Sequence, residues 1–396
     1  MQNQECQFLI VGGGIIGLSI ARELLDRGHK NITLLEKEGH VGEHASGRNS
    51  GVVHAGIYYP PKSLKAKLCV EGSLRLIAYC EKNQIKIEKC GKLIVATKEC
   101  LIDNLQLIFD RATASDVPVE KITLEKLKSM EPEAISHGYA LWSPRTAIVD
   151  SKAVLKKLKS EITDRGVTVL FDSEVIEIQA GQVKTPSATI KFDFLINAAG
   201  LHADRIAHMM GHGLDYKILP FKGIYWDTKK SYAQKINHLI YPTPDLSMPF
   251  LGVHVTKTVD GRVLLGPTAI PAFGRENYGI VEGLNAAETP AIFASLTRML
   301  VKNPDNFRSY VTSEFKRYFR SQFVSETAKL TPCIQDSDLT EVAKVGIRAQ
   351  LYNKTKGKME MDFLVEKDTT SLHVLNAVSP AFTSSLAFAR HVVGMI

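Results

Sequence analysis

Cysteines are few in this chain and none are paired in sequence. Cys6, Cys69, Cys80, Cys90, Cys100 and Cys333 form no CxxC among 396 residues. Disulfide scaffolds and zinc ribbons need close cysteine pairs, so neither is expected, and free thiols in a reducing compartment are. No apolar run reaches the roughly 18 residues of a membrane-spanning helix. The first apolar stretch, Phe8 to Ile20, is broken by glycines and has no basic leader, so no signal peptide is expected. Repeats and low-complexity linkers are missing too. With 44% apolar and 23% charged residues, collagen-like, coiled-coil and disordered chains are ruled out. Neither sign of charge dominates: 49 Lys+Arg against 42 Asp+Glu leave +7. The basic residues are spread out and carry no recognition motif, so no nucleic acid is expected. A mildly basic surface suits an anionic substrate or an acidic membrane face, and solubility explains it as well.

What is present begins with a strand, a tight turn, a helix and a second strand. Phe8-Leu9-Ile10-Val11 reads as a strand buried on both faces. Gly12-Gly13-Gly14-Ile15-Ile16-Gly17 follows, and Leu18, Ala21, Leu24 and Leu25 recur at helical spacing as far as Gly28. Ile32-Thr33-Leu34-Leu35 is the next strand and ends at Glu36. In such a turn Gly12 makes the bend, Gly14 lets backbone approach a diphosphate, and Gly17 lets the helix pack on the strand. The helix start then faces the phosphates with free N–H groups. Glu36 stands at the distance expected for a ribose hydroxyl. The bland alternative is a glycine turn that only packs a helix on a sheet. The spacing alone leaves the dinucleotide open. A nucleotide-binding unit completed late in the chain, around an inserted domain, favours bound FAD over exchangeable NAD by analogy.

Further on, Asp150 or Ser151 caps a helix with Val154, Leu155, Leu158 and Ile162 on one stripe, closed by Gly166. Val167 to Leu170, Val175 to Ile178 and Ile190 to Asn197 read as strands. Residues 215–325 are richer in Gly, Pro and aromatics, with strands to about 285 and helices after it. Val342 to Ile347 and His373 to Asn376 read as short strands before a closing helix from about Ser384. The fold expected is α/β with two domains. A discontinuous Rossmann-like domain takes 1–85, 147–215 and 330–396, and an inserted mixed or antiparallel-sheet substrate domain takes 86–146 and 216–329.

The run Gly47-Arg48-Asn49-Ser50-Gly51-Val52-Val53-His54-Ala55-Gly56-Ile57-Tyr58-Tyr59-Pro60-Pro61, continuing through Lys62 to Cys69, resembles the L-2-hydroxyglutarate dehydrogenase/oxidase family of D-amino-acid-oxidase-like flavoproteins. The blocks Cys90-Gly91-Lys92-Leu93, Thr146 to Asp150, Pro220-Phe221-Lys222-Gly223, Tyr241 to Asp245, Pro249 to His254, Gly346-Ile347-Arg348-Ala349-Gln350 and Asn376 to Ala381 agree in the same order. The resemblance implies non-covalent FAD at Gly12, Gly14, Gly17 and Glu36. It also implies contacts from His44, Ser46, Asn49 and Gly51, from Val175, and from Ala199 and Gly200. Where many relatives close the flavin site with a glycine-rich turn, this chain has Ser379-Pro380-Ala381-Phe382-Thr383-Ser384-Ser385. Ser384 and Ser385 are expected to donate to flavin or substrate, with helix capping as the alternative.

Oxidising a 2-hydroxy acid needs a cation for the carboxylate and a base for the hydroxyl proton. Of twelve histidines, two stand out. His54 lies in a Gly-flanked segment beside Tyr58 and Tyr59. His254 ends the apolar stretch Phe250-Leu251-Gly252-Val253, where a packing histidine is the alternative. One of them is expected to be the base, His54 ahead of His254. Arg348 is expected to bind the carboxylate; a structural ion pair is its alternative. Tyr58, Tyr59 and Tyr241, with Lys222, are expected pocket walls. Lys65 and Lys67 read as a solvated helix face.

Phe307, Tyr310, Val311, Phe315, Tyr318, Phe319 and Phe323 recur near helical spacing beside Lys316, Arg317 and Arg320. Core packing is preferred over a bilayer-lying helix for them. The sum is a metal-free enzyme oxidising L-2-hydroxyglutarate to 2-oxoglutarate and passing electrons to a membrane quinone or to oxygen. Its place is cytoplasmic, with peripheral contact on the inner membrane face as an option. The rival readings are an amine or amino-acid oxidase, a glycerol-3-phosphate dehydrogenase, and a non-catalytic flavin-fold scaffold.

Overall fold

The apolar run at Phe8 to Val11 closes a strand, Gln2–Val11, at the centre of a mostly parallel sheet. The computed structural model describes residues 2–244 and 251–396. On one side Gln2–Val11 pairs in parallel with Ile32–Leu35, which pairs with Thr168–Leu170. On the other it pairs in parallel with Ala188–Asn197, which carries Ser371–Asn376 beyond it. A parallel strand covered on both faces has no polar side. Accordingly Leu9, Ile10, Leu34, Leu195 and Ile196 are all fully buried. The helices Ile15–Asp26, Leu64–Lys82, Ser151–Asp164 and Ala381–Val393 supply one cover. The Glu177–Gln179/Gln182–Lys184 hairpin and the Ala203–Met209 helix contribute to the other.

The helix caps follow the sequence. Asp150 accepts from the N–H groups of Lys152 and Ala153 at the start of Ser151–Asp164, and Ser63 accepts from Ala66 N–H at the start of Leu64–Lys82.

A second, ten-stranded sheet is mostly antiparallel. In it Leu339–Asn353 runs along Tyr216–Thr228 and sets Arg348 opposite Phe221. Lys92–Val95 pairs in parallel with Leu239–Pro242, with Lys92 level with Leu239 and Ile94 with Tyr241. Leu239–Pro242 pairs antiparallel with His254–Lys257 through Ile240 and Val255. Because side chains alternate along a strand, Lys92, Tyr241 and His254 are brought to one face.

Several sequence expectations change. The short strand at Val342 to Ile347 is the middle of the fifteen-residue Leu339–Asn353. Its side chains are half-buried for much of its length, so no clean alternation marks its ends. The strand expected at Val175 is only Glu177–Gln179. His254 opens a strand rather than ending one; Phe250, like Asp245 and Pro249 of the quoted blocks, lies outside the described residues. The aromatic stripe belongs to two helices, Phe307–Lys316 and Arg320–Ala328. Phe307, Val311 and Phe323 are core, as preferred, while Phe315, Tyr318 and Phe319 are exposed. Lys65 is buried, not solvated, and burial pushes its amine down to about 8. Lys67 is exposed as expected. Among the described residues, no helix is long and apolar enough to cross a membrane.

Candidate functional site

The parallel strands Gln2–Val11, Ile32–Leu35, Ala188–Asn197 and Ser371–Asn376 all point their carboxyl ends at one cavity of about 980 Å³. Ligands of open α/β sheets bind at such ends. The turn after the first strand explains its glycines. At Gly12, φ is +111° and a Cβ would sit 2.5 Å from the Ala198 carbonyl oxygen. At Gly17 it would sit 2.0 Å from the Gly12 carbonyl oxygen. Gly12 and Gly14 line the cavity, whereas Gly17 is packed behind the turn.

Gly14 carries no side-chain cap, and Gly14, Ile15 and Ile16 line the cavity. First-turn amides that no preceding turn can satisfy are suited to an anion. Ser46 Oγ accepts from Ile15 N–H at 2.9 Å. Glu36 ends the second strand and is held by two backbone donors, Gly13 N–H to Oε2 at 2.8 Å and Glu38 N–H to Oε1 at 2.9 Å. A carboxylate has further lone pairs, so Glu36 keeps acceptor capacity for a ribose hydroxyl.

Asn49 Oδ1 accepts from Gly51 N–H at 2.8 Å, and its amide donates to the Ser46 carbonyl. Asn49 therefore shapes its own loop, and Gly51 does not line the cavity. His44 joins Tyr278 Oη at 2.6 Å through Nδ1 and Glu38 at 2.9 Å through Nε2. Glu276 takes His202 at 2.9 Å and Lys37 at 2.8 Å. The hydrogen bond from His202, with the Lys37 charge, holds Glu276 well below the usual carboxylate range. Val175, Ala199 and Gly200 line the cavity as well. These residues fit FAD. They offer amides at a glycine turn for a diphosphate, a backbone-fixed carboxylate for a ribose, and a crevice of sufficient size.

The same cavity is also lined by His54, Tyr225, Tyr241, His254, Arg348 and Thr383. His54 backbone N–H donates to Thr383 Oγ1 at 3.1 Å, tying this segment to the closing helix. The His54 ring is enclosed by protein, with part of its surface open to the cavity. Burial, then the charges of Lys92, His254 and Arg348, push its pKa well below the ordinary value. His254 stacks on Tyr241, and its Nδ1 contacts the Gly252 carbonyl oxygen at 2.8 Å. A carbonyl only accepts, so Nδ1 carries the hydrogen and Nε2 keeps its lone pair. Burial pushes His254 down to about 3, against the raising effect of that hydrogen bond. Both environments therefore favour the neutral imidazole.

Not every expected residue reaches the cavity. Tyr58, Tyr59, Ser384, Ser385 and Lys222 are not among its lining residues. Tyr58 lies under Lys92. Ser384 sits inside the Ala381–Val393 helix, where its backbone presses on Gly72 of Leu64–Lys82. Neither serine caps the helix, because Pro380 holds the cap position. Lys222 instead donates to Asn277 Oδ1 at 3.2 Å. Sequence reading missed Thr383, Tyr225, Lys37, His202, Tyr278 and the buried Lys92. A lysine opening an apolar strand gives no signal of burial, and the His202–Glu276 pair joins distant segments.

Residues 7–395 match the family described as FAD dependent oxidoreductase. The chain is 37% identical to an L-2-hydroxyglutarate dehydrogenase of Indibacter alkaliphilus over 97% of its length and 96% of the relative's. It is 36% identical to the mitochondrial L-2-hydroxyglutarate dehydrogenase of Homo sapiens, over 96% of this chain and 86% of that one. Among solved structures, the L-alpha-glycerophosphate oxidase of Mycoplasma pneumoniae with FAD bound superposes with a TM-score of 0.77 at 23% identity. That likeness covers 99% of this chain and 94% of the other, and it concerns the fold.

Proposed function

Because the chain belongs to the FAD dependent oxidoreductase family, we propose that it oxidises L-2-hydroxyglutarate to 2-oxoglutarate. The observation that carries this reading is the meeting of Arg348 with two imidazoles, His54 and His254, in one cavity with the glycine turn. Arg348 offers a planar fork to the carboxylate beside the hydroxyl carbon. One of the two imidazoles accepts the hydroxyl proton; His254 has its tautomer set for this at Nε2, and His54 lies on the segment tied to Thr383. Tyr241 and Tyr225 wall the cavity and keep water from the reacting carbon. FAD, when bound, supplies the two-electron acceptor for the C–H bond. The turn at Gly12 and Gly14, with Glu36, Ser46, Val175, Ala199 and Gly200, would hold it.

The same proposal divides the chain into a flavin part, 1–85, 147–215 and 330–396, and a substrate part, 86–146 and 216–329. The site draws on both: His54 comes from the first, Tyr241 and His254 from the second, and Arg348, numbered with the first, stands on Leu339–Asn353 in the second sheet. Turnover is completed by a quinone-type acceptor or by oxygen. Oxygen uptake, compared with reduction of a soluble quinone, tells these apart.

Anaerobic titration of the purified holoenzyme with each enantiomer of 2-hydroxyglutarate tests the reading. Bleaching of the flavin by the L form is expected. Bleaching only by amino acids or by glycerol 3-phosphate would replace this reading with one of its rivals. A colourless protein that takes up no FAD would favour the scaffold.

A further inference from the structure

Lys92 is among the largest fully buried side chains of the protein, 1% exposed. It opens the Lys92–Val95 strand, between Leu239 and Ser143 on the flanking strands. Its ammonium lies 4.5 Å from the centre of the Tyr58 ring and 4.9 Å from that of Tyr241. The Tyr241 ring in turn stacks on His254. No carboxylate among the described residues forms an ion pair with Lys92. The groups that face it are His54 and Tyr58 from the segment after the flavin loop, Cys69 from the Leu64–Lys82 helix, Tyr241, and His254. Two aromatic faces favour a cation there but do not replace the hydration that burial removes.

A buried lysine is ordinarily neutralised by an acid or serves one that arrives. The other cations lining the cavity, Lys37, Arg48 and Arg205, are each paired with an acid, and Arg348 offers its fork to one carboxylate. We propose that Lys92 is a specificity-determining residue, placed behind the Tyr241–His254 wall so that its charge is met through space by the second carboxylate of a dicarboxylate substrate. This rests on the reading of a dicarboxylate alcohol as substrate and says what selects its second charge. Burial pushes the Lys92 amine down to about 7 in the resting protein. A nearby dianion favours the protonated form, so binding draws a proton onto Lys92.

The test measures affinities of unreactive ligands on the oxidised holoenzyme by the change in flavin absorbance. Glutarate is compared with butyrate, in wild type, Lys92→Met and Lys92→Arg, from pH 6 to 9. Wild type is expected to prefer glutarate, less so as pH rises and the amine loses its proton. Lys92→Met is expected to lose at least about tenfold in glutarate affinity, as one charge pair in a protein dielectric would give, with butyrate little changed and the pH slope gone. Lys92→Arg keeps the charge, so it is expected to keep the preference without the slope. Equal glutarate affinity in wild type and Lys92→Met overturns the inference. So does equal loss for both ligands, which is what a purely structural lysine would show. If 2-hydroxyglutarate fails to bleach the flavin while the Lys92-dependent preference for glutarate remains, the functional reading falls and this inference stands.

Discussion

Tyr241 and His254 face each other from adjacent strands, their ring centroids 3.9 Å apart and their planes inclined by 28°. The stack and the Gly252 carbonyl together hold the imidazole in one orientation. Tyr241→Phe preserves the stacked face and is expected to leave flavin reduction within about threefold of wild type, an aromatic pair contributing about 1 kcal/mol beyond burial. Tyr241→Ala frees the imidazole and is expected to slow reduction by about tenfold or more. Stopped-flow bleaching under nitrogen, with FAD content checked, measures both.

Removing the base itself has a larger effect. Replacement of the proton-accepting histidine by Ala is expected to lower the reduction rate by about 10²- to 10⁴-fold, with the bound flavin spectrum intact. The other histidine is expected to change KM more than the rate. If His54→Ala and His254→Ala both reduce flavin at the wild-type rate, neither of them is the base.

Gly17→Ala tests the turn. Its added Cβ would meet the Gly12 carbonyl oxygen at 2.0 Å, so the helix must lift from the strand. Loss of bound FAD is expected, together with a lower melting temperature. Full occupancy of FAD would show that the turn relaxes without consequence.

Arg275 is paired with Asp204 at 2.6 Å, both buried, and also with Glu288 at 2.9 Å. Asp204 accepts from Ile218 N–H at 2.8 Å as well. Arg275→Met leaves the buried Asp204 without its cation, while Glu288 keeps Arg205, and is expected to cost about 3–5 kcal/mol. Denaturant unfolding reads this. Asp204→Asn with Arg275→Met together is expected to recover part of the loss.

His373 gives a pH dependence of stability. Asn197 Nδ2 donates to the Ala203 carbonyl and faces His373 Nδ1 at 3.2 Å, while Nε2 faces Ser371 Oγ. Nδ1 is therefore an acceptor, and burial, with the His212 charge, pushes the pKa down to about 4. The unfolded chain takes up a proton at about 6.5. Stability from this site is full above that pH and falls as pH drops toward 4. His373→Asn is expected to flatten the slope of unfolding free energy between pH 6.5 and 4; an unchanged slope would show that His373 does not carry it.

The local parts of the fold could be read from the chain because neighbouring residues determine them. The strand–turn–helix at Gly12 to Gly17, the Asp150 cap and the Ile32–Leu35 strand all depend on residues close in sequence. The site was legible where a residue type has few other uses, as with His54, His254 and Arg348, all of which line the cavity. Long-range placement was not. Tyr58 and Tyr59 flank His54 in sequence, but the chain turns them off the cavity wall. Ser384 and Ser385 look like donors at a helix start, yet a helix crossing at Gly72 consumes that face. Lys92 shows no sign of burial in the chain until its strand is placed between two others.

The crevice edge is formed by strand ends at Val11, Leu35, Asn197 and Asn376. These are far apart along the chain. During synthesis the first two can form early, but the fourth wall does not exist until the C-terminal strand has left the ribosome. Capture of the flavin is therefore a late event in biogenesis. Until then the edge of the Ala188–Asn197 strand at Leu195 to Asn197 waits unpaired, in the slow, aggregation-exposed manner of long-range parallel pairing.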